Sequence, residues 1–382
     1  MRLLIISTMY GFSWGGSEEL WYAVAKETLK NGFNVDIVVF TNSPIHNKLL
    51  ELQKKTNLYF INNLTPLLPP LWKRIYFKVI GRPIEIRYAN RFNFLKNIKY
   101  DCVLLSQGGA TDIIYYEDLF NYFLQLETPF YILNHLVSES MFLNDIKRKQ
   151  MRDLYTRSKQ VFFVSDRNRS DFERRLILHL KNALILKNPV NVKRAGIIDW
   201  PQNEIAQMAV VARIDVNHKG HDLLLDVLSQ QKWQVRRFKL NIYGTGPHLT
   251  YLQDLIDFYF LGNKVELKNH ASNITGVWKE NEILIVPSRT EGLPLTIVEA
   301  MLCGRPIVTT DVGDCAVMVE EGKTGWIAEA ASFQHLDAAL EKAWQARTQW
   351  RQAGIAAYEK AVKFVDPNPG KTLLSLMQVN LF

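Results

Sequence analysis

The chain has only three cysteines, Cys102, Cys303 and Cys315, among its 382 residues. They are odd in number, sit in apolar surroundings and lack metal-ligand spacing. They therefore read as small core residues of a reduced, cytoplasmic protein rather than as a disulfide framework. No run of about eighteen apolar residues occurs, so no membrane-spanning helix is expected. The opening MRLLIIS is too short for a signal peptide and reads as a first strand. The dinucleotide fingerprint GxGxxG is missing, as is any nucleic-acid-binding motif, and nucleic acid is not expected as a partner.

What is present is ordinary for a soluble globular protein. Hydrophobic residues make up 47% and charged residues 22%, which argues for proper cores over disorder, and the length favours two domains. The net charge of +8 is unevenly spread: residues 1–200 hold 28 Lys and Arg against 18 Asp and Glu, the remainder 18 against 20. A basic first half is attracted to an anionic surface. Peripheral contact with the inner face of a membrane is the expectation. Residues 64–82, LTPLLPPLWKRIYFKVIGR, interleave aromatic and basic residues, and read either as an interfacial segment or as an ordinary surface helix.

Strand and helix patterns alternate along the chain. Arg2 to Ser7 reads as a buried strand, followed by a loop with Gly15-Gly16, a helix from Glu18 to Lys30 and a strand from Asn34 to Phe40. Such a β-α-β unit lies in a parallel sheet. The glycine pair either makes a tight turn or lets the backbone approach a ligand. Three more strands are expected at Asp101 to Ser106, Pro129 to Leu133 and Gln160 to Val164. His135 follows the second, at a carboxyl strand end where open α/β sheets place their ligands, and Ser165 follows the third as a helix cap.

Residues 191–205 lack periodicity and read as the linker between domains 1–190 and 206–365, with the apolar tail 366–382 packing back on the first. The second α/β series begins with a strand at Gln207 to Ala212. A polar loop with Arg213 and Lys219 follows, suited to a pyrophosphate if the two cations are not merely solvated. Lys239 to Tyr243 leads into the glycine turn Gly244-Thr245-Gly246-Pro247. The strand Ile283 to Val286 then runs through a loop holding Glu291, Gly292 and Leu293 into a helix that starts at Pro294. Leu295 and Thr296 sit in its first turn and Glu299 lies inside it. Unpaired N–H groups at a helix start attract phosphate, and flanking carboxylates accept bonds from sugar hydroxyls. That combination suits a nucleotide sugar.

The run PSRTEGLPLTIVEAMLCGRPIV, preceded by VARIDVNHKGHDLLLDVL and YGTGP and followed by DVGD and EGKTGW, resembles the carboxyl domain of the retaining family-four glycosyltransferases. These belong to the glycosyl transferases group 1 and share the GT-B fold. The resemblance implies an α/β fold of two facing Rossmann-like domains with a deep interdomain cleft, and a hexosyltransferase-type reaction. A sugar would pass from a nucleotide-sugar donor to the hydroxyl of a glycan, lipid-linked or small-molecule acceptor, with retention, without a metal or other cofactor, in polysaccharide or glycolipid assembly. It further implies that Glu291 and His135 contact the donor sugar, Glu299 the ribose, Arg213 and Lys219 the pyrophosphate, and Gly16 the phosphates or acceptor. Two departures from the family pattern stand out. Pro294 replaces a glycine and removes an N–H, leaving phosphate contacts to the Leu295 and Thr296 amides; Asp314 and Val317 replace a second glycine and a glutamate. A nucleotide-sugar 2-epimerase and a non-catalytic sugar-nucleotide-binding protein are the alternatives.

Overall fold

The computed structural model describes residues 1–9, 14–40, 45–61, 66–67, 87–88, 91–138, 142–192 and 196–377. Two all-parallel sheets organise it. The first contains β1 (Arg2–Ser7), β2 (Asn34–Phe40), β3 (Asn57–Ile61), β6 (Cys102–Gly109), β7 (Phe130–Leu136), β8 (Gln160–Phe163) and β9 (Ala183–Ile185), in the order β3-β2-β1-β6-β7-β8-β9. The second contains β10 (Ala206–Val211), β11 (Phe238–Tyr243), β12 (Val265–Lys268), β13 (Ile283–Val286), β14 (Ile307–Thr310) and β15 (Gly325–Ala328), in the order β12-β11-β10-β13-β14-β15. These are two Rossmann-like α/β domains, as expected. The strands are near-continuous apolar runs because helices cover both faces; Leu3, Leu4, Ile5 and Ile6 of β1 are all fully buried.

Strand order reverses at β1/β6 in the first sheet and at β10/β13 in the second. A crevice opens outside the carboxyl ends of the strands at such a point. Both reversal points lie at the boundary between the domains, which is what positions the site.

The sequence reading omitted β3 and β9. Both are edge strands and only partly buried, so neither carries the apolar run that marks a central parallel strand. It also took residues 213–220 as loop throughout, whereas Val216–Lys219 forms one helical turn. Of the segment 64–82, Pro66–Leu67 (β4) pairs antiparallel with Arg87–Tyr88 (β5), and the rest lies outside the described residues. Among the described residues no helix is long and apolar enough to cross a membrane. All three cysteines are free and buried, and burial pushes Cys102 and Cys303 up to about 12, so neither offers a thiolate near neutrality.

The chain crosses between the domains twice. After the second domain, the helix Pro369–Leu376 packs on the helix Gly16–Lys30, with Leu373, Leu374 and Met377 in one cluster with Leu20, Trp21 and Val24. The Tyr131 hydroxyl donates to the Met377 carbonyl and fastens this return. The first crossing is held by Arg305, whose side chain is fully buried. It donates to the carbonyls of Trp278 and Asn281 at 3.0 and 2.8 Å, of Cys303 at 3.0 Å, and of the linker residues Ile198 and Asp199 at 3.3 and 2.8 Å. Only a planar five-donor group serves so many carbonyls at once. Arg305→Ala should therefore cost about 2–4 kcal/mol in chemical denaturation, with Arg305→Lys recovering only part.

Candidate functional site: a cavity between the two sheets

The carboxyl strand ends of the two sheets face each other across a cavity of about 1650 Å³. Every residue singled out from the sequence as a site residue lines it. Gly15, Gly16 and His135 come from the first domain; Arg213, Lys219, Gly244, Gly246, Glu291, Gly292, Leu293, Pro294, Leu295, Thr296 and Glu299 come from the second.

Lys219 reaches the site because its helical turn stops abruptly. Gly220 follows in the left-handed region, with φ +62°, and a Cβ there would lie 2.0 Å from the Pro287 carbonyl oxygen. The loop after β10 is thereby pressed onto the loop after β13, and Lys219 Nζ meets Glu291 Oε1 at 2.6 Å. Ser288 Oγ donates to the same oxygen at 2.7 Å. Glu291 is 9% exposed, so one of its oxygens is held and its carboxylate is aimed rather than mobile.

Arg213 is paired as well: its guanidinium donates to Asp215 Oδ2, and His218 Nδ1 lies 2.9 Å from that same oxygen. Burial alone would raise the Asp215 carboxyl. The His218 hydrogen bond and the Arg213 charge outweigh that effect and hold its pKa below the ordinary value. Burial likewise draws the Arg213 pKa down, against the pull of Asp215. The two cations, each with a carboxylate partner, thus line the same cavity as the amino end of the helix Leu295–Leu302.

Pro294 flanks that helix as its cap residue, with φ −64° and ψ +123°, rather than occupying the first helical position as the sequence reading had it. Leu295 and Thr296 supply the first-turn N–H groups, which have no carbonyl within the helix to bind. Glu299 lies one turn on, 3% exposed, with Oε1 accepting from Asn191 N at 3.2 Å and Nδ2 at 3.1 Å. Burial raises its pKa and the two Asn191 bonds partly offset this. Gly244 and Gly246 pack where a Cβ would lie 2.0 Å from the Ala212 and 2.2 Å from the Ile214 carbonyl oxygens, so close backbone packing already requires both.

The first domain supplies the opposite wall. His135 is 8% exposed at the end of β7, its Nε2 lies 3.5 Å from Ser106 Oγ, and its Nδ1 has no hydrogen-bond partner among the described residues. Burial pushes its pKa down to about 3, so the ring is neutral near pH 7. The walls touch directly: a Cβ on Gly292 would lie 2.2 Å from the His135 carbonyl oxygen, so any other residue there would force the domains apart. Gly16 meets Leu295 in the same way, at 3.2 Å from a built Cβ to Leu295 Cδ1.

Several residues of this region were not read from the sequence. Asp112 lines the cavity beyond β6; Gly109 N donates to its Oδ2 at 2.8 Å and Thr8 Oγ1 at 3.4 Å, and burial pushes its pKa up to about 6. Trp14 and His46 stack at 4.7 Å, with Lys48 joined to Glu19 at 2.6 Å beside them. Asp215 bonds Arg213 and His218, and Ser288 bonds Glu291, all neighbours two or three positions away, so that spacing was the signal that could have found them; Asp112 meets Thr8 only because β1 and β6 converge. Ser165 does cap its helix, accepting from Asn168 N at 3.1 Å. No group of three or more His, Cys, Asp or Glu side chains disposed to hold a metal occurs among the described residues.

Known proteins are similar to this chain in sequence and fold. Residues 201–360 match the family described as glycosyl transferases group 1. The chain is 23% identical over 343 residues to an uncharacterised glycosyltransferase of Haemophilus influenzae, covering 86% of each. It is 30% identical over 142 residues to a putative colanic acid biosynthesis glycosyltransferase of Salmonella typhimurium, covering 35% of each. Among solved structures it superposes on Alr3699/HepE of Anabaena in complex with UDP-glucose, with a TM-score of 0.72 at 16% identity over 99% of this chain and 98% of that one. It also superposes on the lipopolysaccharide outer core galactosyltransferase WaaB in its apo form, with a TM-score of 0.68 at 18% identity over 99% of both chains. The fold is that of the GT-B glycosyltransferases.

Beneath the glycine loop, Glu18 is buried and accepts from Ser17 Oγ at 2.7 Å and Ser7 Oγ at 3.4 Å; burial raises its pKa from the usual 4.5 to about 7. A carboxyl whose folded pKa lies above its unfolded value contributes stability that is fully present below pH 4.5 and lost as pH rises through about 7. Glu18→Gln should therefore raise the melting temperature of the protein at pH 8 and change it little or lower it at pH 4, as followed by circular dichroism.

Proposed function

We propose that this protein, whose residues 201–360 match the glycosyl transferases group 1, is a retaining glycosyltransferase that moves a hexose from a nucleotide-sugar donor to an acceptor hydroxyl without requiring a metal. The observation that carries the reading is the convergence of Lys219, Arg213, Glu291 and the amino end of the helix Leu295–Leu302 on one interdomain cavity. A diphosphate has a place there for each of its charges. Arg213 offers a planar fork, Lys219 a point charge, and the Leu295 and Thr296 amides two fixed dipoles.

In the transfer, the bond from the anomeric carbon to the diphosphate oxygen breaks and its electron pair leaves with the diphosphate. The acceptor hydroxyl oxygen bonds the same carbon from the same face, and its proton passes to the departing diphosphate oxygen. Negative charge on the departing group grows through the transition state, so fixed cations and N–H groups stabilise that state more than the bound donor. Glu299 accepts from the ribose hydroxyls with the oxygen that Asn191 leaves unused. Glu291 orients the hexose through its hydroxyls, and the neutral His135 walls the same part of the cavity without adding a charge. Asp112 lies on the acceptor side, at the strand-order reversal of the first sheet.

The Anabaena complex with UDP-glucose makes uridine the first base to test. The relatives named for colanic acid and for lipopolysaccharide outer core support a place in cell-surface polysaccharide or glycolipid assembly, with a glycan or lipid-linked acceptor. The basic charge of the first half suits a cytoplasmic protein working at the inner membrane face.

Removing one cation removes a charge-assisted contact of about 1.5–3 kcal/mol, so Arg213→Ala and Lys219→Ala should each lower turnover roughly tenfold to a hundredfold. Unchanged turnover in both would refute the site. NMR of the early product should show the anomeric configuration of the donor, and an inverted product would refute retention. Turnover should survive exhaustive dialysis against EDTA, and its loss with recovery on adding a divalent cation would refute metal independence.

A further inference from the structure

Asp314, which stands where the resembling family commonly has a glycine, is 8% exposed. Its carboxylate leaves its own domain. Oδ2 accepts from the backbone N–H of Asp166 at 3.0 Å and Oδ1 from that of Arg167 at 3.2 Å. These are the first two amides of the helix Asp166–Leu176 in the first domain, which have no carbonyl to bind within the helix. Ser165 takes the third helical amide, so the cap is divided between a serine of one domain and an aspartate of the other. Among the described residues the Asp314 carboxylate makes no hydrogen bond within its own domain, and an anion is the group that the amino end of a helix favours.

The contact adjoins the proposed transfer site on both sides. Asp314 N donates to the Gly292 carbonyl at 2.8 Å, next to Glu291. Two residues into the capped helix, Asn168 Nδ2 donates to the Glu291 carbonyl at 3.2 Å, while Asn168 Oδ1 accepts from Val137 N at 2.8 Å, two residues beyond His135. Arg167 closes the edge, reaching Asp311 Oδ1 at 2.7 Å.

We propose that Asp314 is a positioning residue: an interdomain helix cap that sets the first domain's His135 wall at a fixed distance from Glu291 in the second. Its bonds are polar and exchangeable with water, so it holds the two halves of the site in register while leaving them free to part when product leaves. A glycine or alanine at this position has no group with which to reach the helix. The catalytic half of this proposal rests on the glycosyltransferase reading; the closure half does not.

The test compares wild type with Asp314→Ala and Asp314→Asn by small-angle X-ray scattering of the full chain without ligand. It adds calorimetric binding of UDP and, with the nucleotide sugar that is turned over, kcat and KM. Asp314→Ala should give a larger radius of gyration and a kcat lowered about tenfold, with UDP affinity within about twofold of wild type because the diphosphate contacts belong to the second domain. Asp314→Asn keeps an acceptor and should recover part of both effects. An Asp314→Ala scattering curve and kcat identical to wild type would overturn the proposal. So would a lower melting temperature with scattering and kcat both unchanged, since that is a purely structural role. If the scattering expands while no nucleotide sugar is turned over by wild type, the glycosyltransferase reading fails and the closure stands; if transfer proceeds and scattering does not change, the closure fails and the reading stands.

Discussion

The ion pair between Lys219 and Glu291 joins the two loops on which the second domain's half of the cavity is built. One loop leaves β10 and the other leaves β13, the strands on either side of the order reversal. The pair is possible because Gly220 admits the Pro287 carbonyl at a distance no Cβ tolerates. Buried charge of this kind is costly unless both partners are satisfied, and Ser288 completes the bonding of the held oxygen. A cation and a carboxylate are thereby fixed side by side before any ligand arrives. In the proposed transfer this pair is already in place as charge develops, which is the condition under which electrostatic stabilisation is largest.

The first domain meets this arrangement through backbone and polar contacts. Gly292 lies on the His135 carbonyl, Gly16 on Leu295, and Asp314 on the start of the helix Asp166–Leu176. The permanent attachment of the domains is elsewhere, in the Arg305 cluster under the linker and in the tail helix on the helix Gly16–Lys30. A firm back and a polar, exchangeable front suit two domains that close on a ligand and reopen.

Much of this was legible in the chain. Central parallel strands announce themselves as apolar runs, and His135 near the end of β7, Arg213 just after β10 and Glu291 in the loop after β13 all fall toward carboxyl strand ends. The motif runs across residues 207–330 named second-domain residues that all line the cavity. The edge strands β3 and β9 were not legible, because an edge is only partly buried and loses the apolar signal. Asp112 was missed because its setting depends on β1 and β6 meeting, a contact about a hundred positions apart in sequence. Asp314 was visible as a departure from pattern, yet its partner lies 148 positions away and is a backbone amide, which no side-chain identity reveals. Burial likewise converts Glu18 and His135 into groups with displaced pKa values, and neither displacement is written in local sequence.

The central claim is that the cavity is a nucleoside-diphosphate site organised by Lys219. The most direct measurement is a thermal-shift panel of uridine, guanosine, adenosine, cytidine and thymidine diphosphates on wild type and on Lys219→Ala. A ligand that binds only the folded state at a hundred times its dissociation constant stabilises it by about 2.7 kcal/mol, enough for a shift of several degrees. The account predicts that one base stands out for wild type and that its shift shrinks sharply in Lys219→Ala. Equal absence of shift for every diphosphate at millimolar concentration, or an undiminished shift in the variant, would contradict it.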